Sequence, residues 1–256
     1  MSSRVAVVTG ANRGIGRAIA VALAADGFDV AVTARDPATL ADTVAEVEKA
    51  GGTAVALACD VRDETSVAAM AEAAAAIGPV HTVVANAGVA GPTAPLHEIT
   101  LDEWRDCVAT DLDGVFLTFR AFVPSMISAR AGSLIAISSM TGKRPLTGRT
   151  PYAASKMGVI GLVRTLALEL GPYGIRANSV CPGAVAGPRI EDVIRKQAAA
   201  RGISEDEALA VFTGSSPLCR LVEADEVART CAFLASDASA AITGEDVNVS
   251  AGVVMY

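Results

Sequence analysis

Aromatic residues are scarce in this chain: one tryptophan, three tyrosines and six phenylalanines amount to 4% of 256 residues. With so few rings, and no run of lysine and arginine against a net charge of −7, it lacks the stacking platforms and basic stripe that track a phosphate backbone. Nucleic acid is therefore not an expected partner. Only two histidines occur, His81 and His97. They share no metal-ligand spacing with the five cysteines, Cys59, Cys107, Cys181, Cys219 and Cys231, which form no C-x-x-C pair. No metal site is implied, and the cysteines read as reduced thiols at core or helix positions. No stretch approaches the roughly 18 uninterrupted apolar residues of a membrane span. The opening "MSSRVAVVTG" has an apolar run of only four residues before Thr9 and Gly10, too short for a signal peptide. The expectation is a cytoplasmic protein without a membrane partner.

What the chain does have is a recurring alternation. Apolar, β-rich runs occur at Val5–Val8, Val30–Thr33, Ala54–Ala58, Val80–Ala85, Leu134–Ile137 and Ala177–Val180, each followed by a helical stretch. Continuous rather than alternating hydrophobicity predicts strands buried on both faces, as in a parallel sheet covered by helices. The helices carry their own punctuation. "DPATLADTVAEVEKAGG" has Pro37 near its start and Gly51-Gly52 past its end, and "DETSVAAMAEAAAAIGP" closes on Gly78-Pro79. The pattern predicts one doubly wound α/β domain over residues 1–256. From Pro188 to Pro217 two short amphipathic segments, "IEDVIRKQAAARG" and "SEDEALAVF", replace the expected quick return to a strand. That insertion, about 188–217, is a candidate substrate lid.

"VAVVTGANRGIGRAIAVAL" places Gly10, Gly14 and Gly16 between a buried strand and a helix. Such glycines permit a tight turn and let a pyrophosphate approach the backbone amides at the positive end of the helix. Glycines alone also serve plain close packing, so context decides. Sites that prefer NAD place an acid about 20 residues beyond the glycines, whereas an arginine there accommodates a 2′-phosphate. Here the second strand ends "VAVTARD", with Ala34 at the expected acid and Arg35 next, and Arg13 lies inside the loop. Two guanidiniums converging on a doubly charged phosphate would make charge-assisted hydrogen bonds. NADP(H) is the preferred cofactor, with NAD(H) as the alternative.

In "RTPYAASK", Pro151 suits a helix start, and Tyr152 and Lys156 then share one helical face. A phenol with an ordinary pKa near 10 needs depression by about 3 units, roughly 4 kcal/mol, to exchange a proton near neutrality. An adjacent ammonium and the positive nicotinamide of an oxidised cofactor are neighbours of the required kind.

With these motifs in order, the chain resembles the short-chain dehydrogenase/reductase family along nearly its whole length, and is similar to its 3-oxoacyl-[acyl-carrier-protein] reductases and 3-hydroxybutyrate dehydrogenases. "TGANRGIG" resembles the T-G-x-x-x-G-x-G loop, "CDV" the adenine contact, and "ANAG" at 85–88 the N-N-A-G strand end. "ISSMTG", with Tyr152 thirteen residues after Ser139, resembles the serine–tyrosine–lysine centre, and "GIRANSVCPG" the stretch that reaches the nicotinamide. The resemblance implies a Rossmann-type sheet with helices on both faces, and hydride transfer between the cofactor and a carbonyl or secondary alcohol. It implies that Ser139 hydrogen-bonds the substrate oxygen, Tyr152 transfers the proton, and Lys156 holds the nicotinamide ribose and lowers the tyrosine pKa. Cofactor contacts carried over are Gly10, Asn12, Arg13, Gly14, Ile15, Gly16, Arg35, Asp60, Val61, Asn86, Ala87, Gly88, Tyr152, Lys156, Pro182, Gly183 and Val185.

Three positions depart from the family pattern. Ala85 replaces the first asparagine of N-N-A-G, Gly187 replaces a threonine that contacts the carboxamide, and Asp111 stands where an asparagine usually lies 28 residues before the serine. That asparagine holds a water relaying protons to the lysine. A carboxylate can hold the same water, but it adds a negative charge beside Lys156. "GKRPLTGRT" places Lys143, Arg144 and Arg149 between serine and tyrosine. In 3-hydroxybutyrate relatives a cation at the spacing of Arg149 binds the substrate carboxylate; solvated loop charges are the other reading. A 3-oxoacyl or oxo-acid substrate follows from the first reading, with polyols, sugars, steroids and aryl ketones as alternatives. A cofactor-sensing or scaffold protein of the same fold is the non-enzymatic alternative. The family's habit of pairing two helices, here "GVFLTFRAFVPSMI" and the one bearing Tyr152, predicts a homotetramer.

Overall fold

Runs of valine and alanine without polar interruption pair as strands of one sheet in a computed structural model of the chain. The structure describes residues 4–256, with every side chain in that range except those of Arg189, Lys196 and Ala200. The strands are β1 (Arg4–Val8), β2 (Phe28–Ala34), β3 (Ala54–Ala58), β4 (Val80–Ala85), β5 (Gly132–Ile137), β6 (Ile175–Pro182) and β7 (Asp246–Val249). All seven are parallel, in the order β3-β2-β1-β4-β5-β6-β7. The helices are α1 (Gly14–Ala25), α2 (Ala41–Lys49), α3 (Glu64–Ala75), α4 (Leu101–Val108), α5 (Gly114–Ala129), α6 (Thr150–Leu170), α7 (Pro188–Arg201), α8 (Glu205–Gly214) and α9 (Ala224–Ala235).

Alternate strand residues face two separate cores. Ala6, Val8, Val30, Val32 and Val180 pack with Ile19 and Leu23 of α1 and Leu234 of α9. Val7, Ala31, Val83, Leu134 and Ala177 pack with Met70 of α3, Phe119 and Met126 of α5 and Val163 of α6. Burial on both faces holds for the central strands. It does not hold for β3, whose edge position leaves Ala54–Ala58 partly exposed. Strand β7 was not predicted: Asp246 and Asn248 interrupt its four residues, and as an edge strand it needs pairing on one side only.

Because every strand is parallel, all carboxyl ends lie along one margin. Gly10, Arg35, Asp60, Asn86 and Ser139, and the Pro182–Gly183 junction, therefore gather there. The crevice sits at β1 and β4, the point where strand order reverses.

Between α4 and α5 a π turn, Ala109–Asp113, adds width to the helix and turns Asp111 fully inward. The continuous run Leu101–Ala129 is, among the described residues, the one helix long and apolar enough by composition to cross a membrane. Its Phe119, Phe122 and Met126 are instead buried in the core of this domain. The segment after β6 forms α7 and α8, which close on a small core of their own around Ile194, Ala198 and Ala208.

Candidate active site

The glycine loop follows directly from steric demand. Gly10 and Gly14 have φ of +64° and +55°, and a Cβ on Gly10 would lie 2.8 Å from the Ala87 backbone. A Cβ on Gly16 would overlap the Gly10 carbonyl and press on the Asn86 amide. Only glycine lets these segments meet. Asn86 braces the loop, its Nδ2 donating to the carbonyls of Thr9 at 2.8 Å and Gly10 at 3.0 Å. The Thr9 hydroxyl accepts from the amides of Asn86 and Ala87. Ala85 is a buried strand residue, so the loss of an asparagine there leaves this bracing intact.

Arg13 and Arg35 are both exposed at the margin of this loop, and among the described residues neither makes an ion pair. Asp60 does: Arg62 grips its carboxylate with Nε at 3.0 Å and Nη2 at 2.7 Å. Those hydrogen bonds hold the Asp60 carboxyl below its ordinary range, with Arg35 adding a smaller through-space effect. Arg62, which the motif reading did not include, also pairs with Asp106 at 2.9 Å and so offsets the charge of two carboxylates at this end of the crevice; its position two residues beyond "CD" was the available signal. Val61 packs beneath Gly114 and belongs to the core, so only its backbone can face a ligand. Asn12 and Ile15 are half-buried in the loop and first helical turn.

Ser139 ends the run after β5, its hydroxyl accepting from the Thr141 amide at 3.1 Å. Tyr152 lies in the first turn of α6, with Pro151 ahead of it. One turn on, Lys156 is buried and its Nζ donates to the Ile137 carbonyl at 3.0 Å. The same Nζ is 3.7 Å from Asp111 Oδ2 and 5.6 Å from the centre of the Tyr152 ring. Asp111 Oδ1 accepts from the Val89 amide at 2.7 Å, while Oδ2, also buried, has no hydrogen-bond partner beyond that ion pair. A Cβ on Gly88 would come within 3.0 Å of Asp111 and 3.5 Å of Lys156 Nζ, so glycine keeps space open above the pair.

Arg149 is not a solvated loop charge: it is buried, donates through Nη2 to the Ala90 carbonyl at 2.5 Å, and lies 4.9 Å over the Tyr152 ring. Lys143 is likewise committed, 2.6 Å from Asp246 on β7, whereas Arg144 is exposed. Gly183 packs against the Ser250 backbone, where a side chain would collide. Val185 pairs in parallel with Val222. Gly187 adopts φ 127° and caps α7, a left-handed conformation that a threonine would strain; the departure belongs to the start of that helix. Cys59 and Cys107 are buried, and burial pushes both thiols up to about 11. Cys181 and Cys231 are buried too, but Cys219, expected at a core or helix position, is exposed and lies between α8 and α9.

The residues present fit a nicotinamide dinucleotide. The close approach that Gly10 and Gly16 allow shapes the loop, and the space that Gly88 keeps open lies over a buried, half-satisfied carboxylate–ammonium pair beside a phenol. Among the described residues, no three His, Cys, Asp or Glu side chains gather to hold a metal.

A family model described as enoyl-(acyl carrier protein) reductase matches residues 10–254. A 3-oxoacyl-[acyl-carrier-protein] reductase of Synechocystis is 36% identical over 259 residues, covering 100% of this chain and 99% of the relative. Among solved structures, a point variant of actinorhodin polyketide ketoreductase with NADPH superposes with a TM-score of 0.95 at 36% identity, over 99% of this chain and 98% of the other. An NAD+-bound xylitol dehydrogenase superposes at 0.93 with 28% identity, over 97% and 98%.

Proposed function

Since the chain belongs to the short-chain dehydrogenase/reductase family and is an oxidoreductase of CH–OH or carbonyl groups, we propose that it is an NADPH-dependent reductase of 3-oxoacyl or related oxo-acid carbonyls. The observation that carries the oxidoreductase chemistry is the convergence of Lys156, Tyr152 and Asp111 at the strand margin that also carries the glycine loop; the substrate class is supported by the likeness to a 3-oxoacyl-[acyl-carrier-protein] reductase. When bound, the cofactor supplies the hydride. Ser139 Oγ donates a hydrogen bond to the carbonyl oxygen, and the Tyr152 hydroxyl delivers the proton to it as charge develops there. Lys156 sets the charge beside the phenol and would hold the nicotinamide ribose. Asp111 holds that ammonium and, through Oδ2, a water by which the proton is replaced. Helices α7 and α8 act as a lid over the substrate.

A steady-state screen at the nicotinamide absorbance band, with 3-oxoacyl thioesters, free oxo acids, aryl ketones and polyols against both cofactors, tests this assignment. The highest kcat/KM is expected for 3-oxoacyl thioesters with NADPH. A clear preference for polyols with NAD+ would overturn it.

Cofactor choice rests on Arg13 and Arg35 in place of an acid. Arg35→Asp removes a phosphate partner and adds repulsion, so NADPH affinity is expected to fall by about tenfold, about 1.4 kcal/mol, and NADH to become the better ligand. A wild-type protein that already binds NADH tenfold more tightly would contradict this choice.

For assembly, α5 and α6 leave Phe116, Met157 and Leu168 exposed at 44%, 60% and 82%. Apolar faces of this kind are covered when such helices pair about two-fold axes. A homotetramer is expected by light scattering at micromolar concentration; a monomeric mass would rule it out.

A further inference from the structure

The glycine loop presents four successive carbonyls, and each is held from behind. Asn86 takes those of Thr9 and Gly10. The Ala11 carbonyl accepts from the hydroxyl of Thr43 at 2.8 Å, and the Asn12 carbonyl from Nη2 of Arg17 at 2.8 Å. Thr43 and Arg17 both lie in stretches quoted above, but neither is among the cofactor contacts that the family resemblance carries over. Thr43 is fully buried in the first turn of α2, thirty-two residues from the carbonyl it holds.

Arg17 is itself fixed by α2. Its Nε donates to the Thr43 hydroxyl at 3.2 Å, and its terminal nitrogens reach Glu46 at 3.2 Å and Asp42 at 3.3 Å. The hydroxyl thus accepts from Arg17 while donating to Ala11, which uses its donor and an acceptor site together. Two carboxylates neutralise the guanidinium and point it at a backbone carbonyl. Arg17 is therefore a brace and not a phosphate ligand, unlike the uncommitted Arg13 and Arg35.

The consequence is electrostatic. A carbonyl swung toward the crevice would repel a pyrophosphate, whereas four carbonyls tied back leave the first-turn amides of α1 as the loop's ligand-facing groups. Helix α2 also follows Arg35 by a single 3-10 turn, Pro37–Leu40. The segment proposed to read the 2′-phosphate and the clamp on the pyrophosphate loop are one continuous piece of chain.

We propose that Thr43 and Arg17 are positioning residues for the cofactor, setting the pyrophosphate loop from α2; this rests on the dinucleotide reading above. The pyrophosphate is common to NADPH and NADH, so damage to the clamp must weaken both by the same factor. In that respect it differs from Arg35, which changes their ratio. Thr43→Val and Arg17→Met are each expected to raise both dissociation constants about tenfold, about 1.4 kcal/mol, with kcat at saturating cofactor unchanged. Thr43→Ser restores the hydroxyl and is expected to recover wild-type affinity.

The experiment is titration of NADPH and of NADH by nicotinamide fluorescence on wild type and the three variants, with far-UV circular dichroism confirming the fold. Parallel losses in Thr43→Val and Arg17→Met, with rescue in Thr43→Ser, support the clamp. Unchanged affinities in both loss variants, an altered NADPH to NADH ratio, or a Thr43→Ser protein as weak as Thr43→Val would overturn it. A wild-type protein that binds neither cofactor would overturn the dinucleotide reading and the clamp with it.

Discussion

Tyr152→Phe is expected to lower turnover by about 10²–10⁴-fold, the range contributed by a positioned acid–base group, while leaving NADPH binding largely intact. The substitution removes one oxygen and little else. The ring can stay where it is, with the Arg149 guanidinium over one part of it and Lys156 Nζ nearby. Lys156 is held by the Ile137 carbonyl and by Asp111, neither of which involves the phenol oxygen. A loss confined to kcat would therefore report the missing proton donor. Paired rate and cofactor-affinity measurements on the variant check this, and full activity would sink the mechanism.

The second large effect is on stability. Asp111 and Lys156 are both buried, with Asp111 fully inside. Asp111→Ala leaves the ammonium facing only the Ile137 carbonyl, and removing one partner of a buried pair costs about 3–5 kcal/mol. In a domain of this size that corresponds to a fall in Tm of roughly 6–20 °C. Asp111→Asn should lose much less, because an amide oxygen can still accept from the Val89 amide and face Nζ. It is expected to keep turnover, with a displaced pH profile, since a buried charge beside the reacting lysine is gone. Thermal unfolding of both variants, together with the pH dependence of kcat for Asp111→Asn, decides the matter. Wild-type stability in Asp111→Ala would mean that the pair carries little. An unchanged rate and an unchanged pH profile in Asp111→Asn would place residue 111 outside the relay.

Much of this architecture was legible in the chain because it is local. Buried parallel strands print themselves as unbroken valine and alanine runs, and the glycine spacing and the Tyr152–Lys156 interval are short-range demands of a turn and of one helix. What escaped depends on distance. The π turn that directs Asp111 inward has no signature in "ATDLDG", and β7 is too short and too polar to stand out. The direction of Arg149 is set by the Ala90 carbonyl, fifty-nine residues away in sequence. Arg17 and Thr43 meet across twenty-six residues, so their joint grip on the loop follows from packing α2 against α1 and from no motif. The bulge of chain after β6 was visible as an insertion, but the left-handed Gly187 that opens it reads, in sequence, as a missing threonine.

The central claim is hydride transfer, and isotope transfer reads it without any assumption about rate. NADPH carrying deuterium at the transferring position of the nicotinamide, incubated with the protein and a 3-oxoacyl thioester, should yield a 3-hydroxyacyl product one mass unit heavier at the carbinol carbon, with the Tyr152→Phe protein giving almost none. A protein that binds NADPH yet transfers no deuterium to any carbonyl in the panel would contradict the account and leave a cofactor-binding protein without turnover.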